Sequence, residues 1–179
     1  MRGVMRLCVA GIWLLTAVGA PAQEWLREKL RAQLPLLGHR NWVVVADSAY
    51  PLQTAPGIET VYVDADQVEV LQLVLAELGR VKHVKPLVLK DAELAHVPEK
   101  SAPGIDGYRA ALGKALGSRV VHSLPHEQII ARLDEAGKTF KVLLIKTRLT
   151  LPYTSVFFEL DCGYWDAAAE KALREAMKR

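Results

Sequence analysis

Apolar residues recur along this chain with two alternating periods. From Glu24 to Leu37, Leu26, Leu30, Leu34 and Leu37 fall three or four apart, the spacing of one face of an amphipathic helix. Val43 to Ala46 is a continuous apolar run bounded by polar residues, which predicts a strand buried on both faces. Pro51 to Gly57 reads as a loop, and Thr60 to Val63 as a second strand. Asp64 or Asp66 is placed to cap a helix whose apolar stripe is Val68, Leu71, Leu75 and Leu78, with Gly79 near its end. Pro86 to Leu89 predicts a third strand, Val97 to Gly104 a loop, and Ile105 to Leu116 a helix. A short strand at Val120-Val121 precedes Pro125, which suits the opening of a helix reaching about Ala136. Phe140 to Ile145 and Val156 to Leu160 predict two more strands, and Tyr164 to Lys178 an alanine-rich closing helix.

Strands alternating with helices predict an α/β layered domain. The segment joining the last two strands is too short for a helical crossover, so they either pair antiparallel or sit apart. The sheet is therefore expected to be mixed. The sequence contains no internal repeat, low-complexity tract or glycine-rich phosphate loop, and one domain is expected.

The first 22 residues change the picture of where the chain works. Arg2 and Arg6 open a mostly apolar run from Leu7 to Ala20, and Ala20-Pro21-Ala22 follows the small-residue pattern of a signal-peptidase site. The run is shorter than the roughly 20 residues of a spanning helix, so cleavage and export are expected rather than a stable membrane anchor. Residues 23–179 would then form the mature domain, large enough for a real core. The leader carries two arginines and no acid, so its removal lowers the net charge of +3 by two. No clustered basic face remains to suggest nucleic acid. Cys162 is the one cysteine beyond the leader, so the fold must rest on its core rather than on a disulfide.

Three polar stations can carry chemistry. The first is His39, on the turn Leu37-Gly38-His39, with Asp47 closing the apolar strand that follows. Eight residues of strand at about 3.3 Å each keep these two apart, so they share a site only if a sheet edge or a neighbouring subunit brings other groups between them. The second is Pro125-His126-Glu127-Gln128, a histidine at the mouth of a helix. The third is the polar turn Pro152-Tyr153-Thr154-Ser155 ahead of a strand. Each lies at a strand end or strand–helix junction, where α/β sheets handle ligands. Each also has a plain structural use: turn histidines bond local groups, Asp47 can close a turn, and Tyr153 can be a core-edge aromatic. His122 and His126 invite a metal reading, but Pro125 interrupts the helix between them and no further ligand stands at suitable spacing, so no metal is expected.

Taken together the three stations resemble the ribose pyranase/fucose mutarotase family. The likeness runs through Leu37-Gly38-His39, the strand ending at Asp47, Pro51, Pro125-His126-Glu127-Gln128 and Pro152-Tyr153, spanning about Leu34 to Leu160. The resemblance implies a three-layer α/β/α domain that interconverts ring forms of a free aldose without cofactor or metal. It also implies ring-shaped homo-oligomers, decamers among them, with sites at subunit contacts. The family's catalytic histidine falls on His39, its sugar-binding aspartate on Asp47, its second histidine on His126 and the tyrosine of its Tyr-x-Asn turn on Tyr153. Here Ser155 stands where the asparagine would be, and the closing helix extends past the family's usual end.

An imidazole near neutrality can take the anomeric proton or deliver one to the ring oxygen, and a carboxylate accepts sugar hydroxyls. The sequence thus predicts an exported aldose mutarotase or pyranase. A monosaccharide-binding protein without turnover, and an assembly protein reusing the fold, are the rival classes.

Overall fold

A computed structural model describes residues 20–178. The expected leader lies almost wholly outside them; its last residues, Ala20 to Ala22, begin the first helix. Helix α1 (Ala20–Gln33) runs into a 3-10 turn at Leu34–Leu36. Then follow β1 (Trp42–Ala46), β2 (Ile58–Tyr62), α2 (Gln67–Leu78) and β3 (Val84–Asp91). A 3-10 turn at Ala92–His96, unheralded by the apolar pattern, leads to α3 (Ile105–Leu116). The chain closes with β4 (Val121–Leu124), α4 (His126–Thr139), β5 (Val142–Lys146), β6 (Val156–Cys162) and α5 (Ala167–Ala176).

Of the two aspartates placed to cap α2, Asp66 does so, its carboxylate accepting from the Val68 and Glu69 amides. A side chain that takes these otherwise orphaned donors typically stabilises a helix by about 1 kcal/mol. β3 extends two residues beyond the expected strand at each end, to Val84 and Asp91, because Val84 and Lys85 pair with β6, Lys90 with both β4 and β6, and Asp91 with β4.

The strand order is β2-β5-β1-β6-β3-β4. β1 pairs parallel with β5, and β5 parallel with β2; β3 pairs parallel with β4. β6 runs against both its neighbours, β1 and β3. The sheet is mixed as expected, and β5 and β6 sit apart with β1 between them. The linker of Thr147 to Ser155 steps over β1 rather than turning back as a hairpin.

β1 is buried at every position, as its unbroken apolar run requires. Its Val43 and Val45 join Leu26, Leu30, Val70, Val74, Ile105 and Leu112 on one face, placing α1, α2 and α3 there. Its Trp42, Val44 and Ala46 join Ile129 and Leu133 of α4 and Phe157 on the other. Three layers result. Between α1 and α2, Glu77 is buried and held by Arg27 at 3.1 Å and Arg31 at 3.2 Å. Burial alone would raise its pKa, but those guanidinium bonds outweigh the effect and hold the carboxyl below its ordinary value. α5 buries none of its side chains.

Phe157 is fully buried on the α4 side, so Phe157→Ala is expected to lower unfolding stability by about 3–5 kcal/mol in urea titrations. Leu36→Ala, at an exposed position, is expected to stay within about 0.5 kcal/mol of the parent.

Candidate functional site

Strand polarity decides which residues can meet. β1 to β5 share one direction and β6 opposes them, so one end of the sheet collects the carboxyl ends of β1, β3 and β4 with the start of β6. Asp47 follows β1, Asp91 ends β3, His126 follows β4, and Tyr153 to Ser155 lead into β6. Asp47, His126 and Tyr153, from three separate strand ends, border a cleft of ≈ 330 Å³, with Asp91 behind His126 and Ser155 behind Asp47. Asp47, Tyr50, Gln53, His126, Ile130 and Tyr153 line it.

Asp47 is fixed at both oxygens. Oδ1 accepts the Ala49 amide at 2.9 Å, closing the turn after β1, and Oδ2 accepts the Ser155 hydroxyl at 3.3 Å. The turn that presents Tyr153 rests on a buried polar network. Gln67, at the start of α2, donates to the Thr154 carbonyl at 2.6 Å and to the Tyr108 hydroxyl at 2.9 Å. Tyr108 donates to the same carbonyl at 2.6 Å. Thr147 donates to the Gln67 carbonyl oxygen at 3.1 Å and the Ala46 carbonyl at 3.0 Å as alternative acceptors. The end of β1, the linker and both helices are thereby tied together beneath the cleft.

On this base Tyr153 adopts φ 58°, in the left-handed region that non-glycine residues rarely occupy. Its ring stands edge-on to His126, with centroids 5.6 Å apart. A tyrosine held in such a conformation at a cleft is a sign of use rather than of packing.

His126 sits at the first position of α4. Pro125 precedes it and offers no side-chain cap, and the Glu93 carboxylate takes the His126 amide instead, at 3.0 and 3.1 Å. Bonds from the Glu93 and His126 amides hold the Glu93 carboxyl below its ordinary pKa. Behind the ring lies Asp91, with Oδ1 3.2 Å from His126 Nδ1. Asp91 is 1% exposed, and burial raises its pKa from 3.8 to about 6 against the opposing pull of His126. Tyr50, pushed far upward by burial and by Asp134, Asp91 and Asp47, stays a phenol that can only be protonated at working pH.

The expected site residues thus divide. Asp47, His126, Tyr153 and Ser155 converge at one end of the sheet. His39 does not join them within the chain: it lies before β1, at the far end, exposed and 3.4 Å from Asp161 at the end of β6. The five-residue strand β1 lies between them, so roughly 17 Å of strand rise separates the His39 turn from Asp47. Sequence reasoning missed Asp91, Tyr50 and Glu93. Asp91 had a signal: Leu87-Val88-Leu89-Lys90-Asp91 repeats the pattern of an apolar strand closed by aspartate that singled out Asp47. Tyr50 and Glu93 had none, because only the tertiary fold carries them to the cleft.

No protein-family model matches the chain, and no curated protein matches it by sequence. Solved structures do. The chain is similar to Bacillus subtilis RbsD complexed with D-ribose, at 20% identity and TM-score 0.50, over 74% of this chain and 91% of that one. It is also similar to the fucose mutarotase of Streptococcus pneumoniae in complex with L-fucose, at 18% identity and TM-score 0.52, over 82% of this chain and 98% of that one. The fold is therefore that of these proteins, as the sequence resemblance implied.

Two measurements probe the site before any ligand is known. Tyr153→Gly relieves a conformation that costs about 1–2 kcal/mol, so it should unfold at the same or a higher urea concentration than the parent. Asp91 in the folded chain binds its proton up to about pH 6, and in the unfolded chain only to about 3.8. Its contribution to stability is complete below about pH 4 and lost as pH rises through about 6. Relative to the parent, Asp91→Asn should therefore gain on the order of 2–4 kcal/mol between pH 4 and pH 8 in paired denaturation curves.

Proposed function

We propose that the cleft opens and closes the ring of a free, uncharged aldose, as a mutarotase or pyranase. The observation that carries this reading is the meeting of Asp47, His126 and Tyr153 at one cleft from strand ends far apart in sequence, with Ser155 bonded to Asp47 behind it. Tyr50 and Gln53 add further polar edges, and Ile130 and Pro152 give an apolar wall for the sugar's C–H face. Neither lysine nor arginine lines the cleft, so a phosphate or acid sugar would find no counter-charge among the described residues.

Ring opening takes the proton from the anomeric hydroxyl, breaks the bond from the anomeric carbon to the ring oxygen, and gives that oxygen a proton. Closure on the other face, or through another hydroxyl, reverses these steps. An imidazole serves either transfer, and no net charge, electron or group is left over. Asp47 accepts sugar hydroxyls, and the Tyr153 phenol lies beside the ring.

In this reading His39 is the acid/base supplied by a second copy, which brings the far end of its own sheet against the cleft. The assembly is a closed ring of subunits, and the mature chain is exported after cleavage at Ala22, as the basic and apolar start supports.

A second reading is binding without turnover. It is favoured by Ser155, whose short hydroxyl is engaged by Asp47 where an amide would reach further.

Exchange NMR between anomers of several aldoses separates the two. The enzyme speeds exchange, and Asp47→Asn or His126→Ala removes about 10²-fold or more of the acceleration. His39→Ala, which touches no part of the cleft in its own chain, is expected to slow exchange comparably. Saturable binding with no acceleration for any aldose would establish the second reading. A strictly monomeric protein in light scattering would remove His39 from the mechanism.

A further inference from the structure

We propose that Asp91 is a positioning residue that fixes the tautomer of His126, taking its Nδ1 proton in a hydrogen bond and leaving Nε2 as the proton acceptor toward the cleft. The catalytic consequence rests on the function proposed above; the dyad itself does not.

Three observations point to it. Asp91 is buried at the end of β3, and neither of its oxygens has a hydrogen-bonding partner among the described residues. His126 Nδ1 is buried in the same place and is equally without one. The two groups face each other at 3.2 Å, off the axis of an ideal hydrogen bond. Loose geometry of this kind is common before substrate binds. A buried carboxylate and a buried ring nitrogen, each unsatisfied, are costly unless they satisfy each other.

The residue is held at its backbone and at one edge of its ring. Glu93 holds the His126 amide through both oxygens, and Tyr153 stands edge-on to the imidazole. Moving the ring away from Asp91 would break its edge contact with Tyr153. With Nδ1 committed to Asp91, the half-exposed remainder of the ring faces the cleft.

The charged and titratable groups around His126 are Asp91 of β3, Glu93 of the following 3-10 turn, Asp47 and Tyr50 after β1, Tyr153 before β6, and Glu127 on its own helix. Burial lifts the Asp91 carboxyl pKa to about 6, so the carboxylate that accepts the Nδ1 proton is present above that point and is lost below it. Activity should accordingly fall on the acid side of the profile.

The test is nitrogen-15 NMR of histidine-labelled protein without sugar, with His126→Ala assigning the signal. The parent is expected to show His126 mainly in the Nδ1–H form. Asp91→Asn should shift the ring toward Nε2–H, changing the tautomer ratio at least tenfold. In anomer exchange, Asp91→Asn should lower kcat at least tenfold with KM within about threefold, and Asp91→Glu should recover part of it.

A parent ring mainly in the Nε2–H form overturns the proposal outright, even should Asp91→Asn fail to fold. So does an Asp91→Asn protein with an unchanged His126 tautomer. A tautomer shift in a protein that accelerates no aldose upholds the dyad while removing the ring-opening reading. Turnover with a tautomer indifferent to Asp91→Asn does the reverse.

Discussion

Everything at the cleft depends on one strand running the wrong way. β6 lies between β1 and β3 and opposes both. Were it parallel, its leading turn would emerge at the far end, beside His39, and Tyr153 and Ser155 would never meet Asp47. Because it is antiparallel, the entry to β6 shares an end with the exits of its two neighbours. The register pairs Val45 with Val156, so Ser155 arrives level with the end of β1 and its hydroxyl finds the Asp47 carboxylate. Parallel neighbours flanking a reversed strand create a gap at the carboxyl ends, the position where open α/β sheets hold ligands.

The reversal has to be held in place, because the linker between β5 and β6 crosses over β1 without a helix. Gln67 does this with an amide that meets the Thr154 carbonyl, the Tyr108 hydroxyl and Thr147. Buried polar groups are expensive unless each is satisfied, and a satisfied network specifies one arrangement more sharply than apolar packing would. The same network carries the load of the left-handed Tyr153. A residue that departs from favoured backbone geometry persists only when its surroundings over-determine it.

What was legible in the sequence follows from the range of each interaction. Helices and strands could be read because burial imposes periods of 3.6 and 2 on local residues, and β1 was clearest because it is covered on both faces. The layered class followed from their alternation. Strand order could not be read: nothing in Phe140 to Leu160 says that β1 will insert between β5 and β6. Asp47, His126, Tyr153 and Ser155 were recognisable by residue type at strand ends. Their convergence was not, since it depends on that order. Asp91 was readable in kind and was passed over because its strand looked shorter than it is; its last turns of pairing come from β4 and β6, not from its own apolar content. The α5 helix was visible from its alanine-rich pattern, but its lack of any buried face was not.

The position of His39 turns on the same geometry. Within one chain, the ends of β1 are as far apart as its length makes them, and no rotamer change brings the imidazole to the Asp47 cleft. His39 and Asp161 stand together at the other end because the antiparallel pairing that joins Ser155 to Asp47 also joins their opposite termini. One pairing therefore builds two polar stations facing opposite ways. Under the proposed function, two stations at opposite ends of the sheet call for head-to-tail contact between copies, which gives a closed ring only if the rotation from copy to copy closes. If instead the chain acts alone, the Asp91–His126 pair is the only buried carboxylate–imidazole couple among the described residues, and the proton chemistry falls to it.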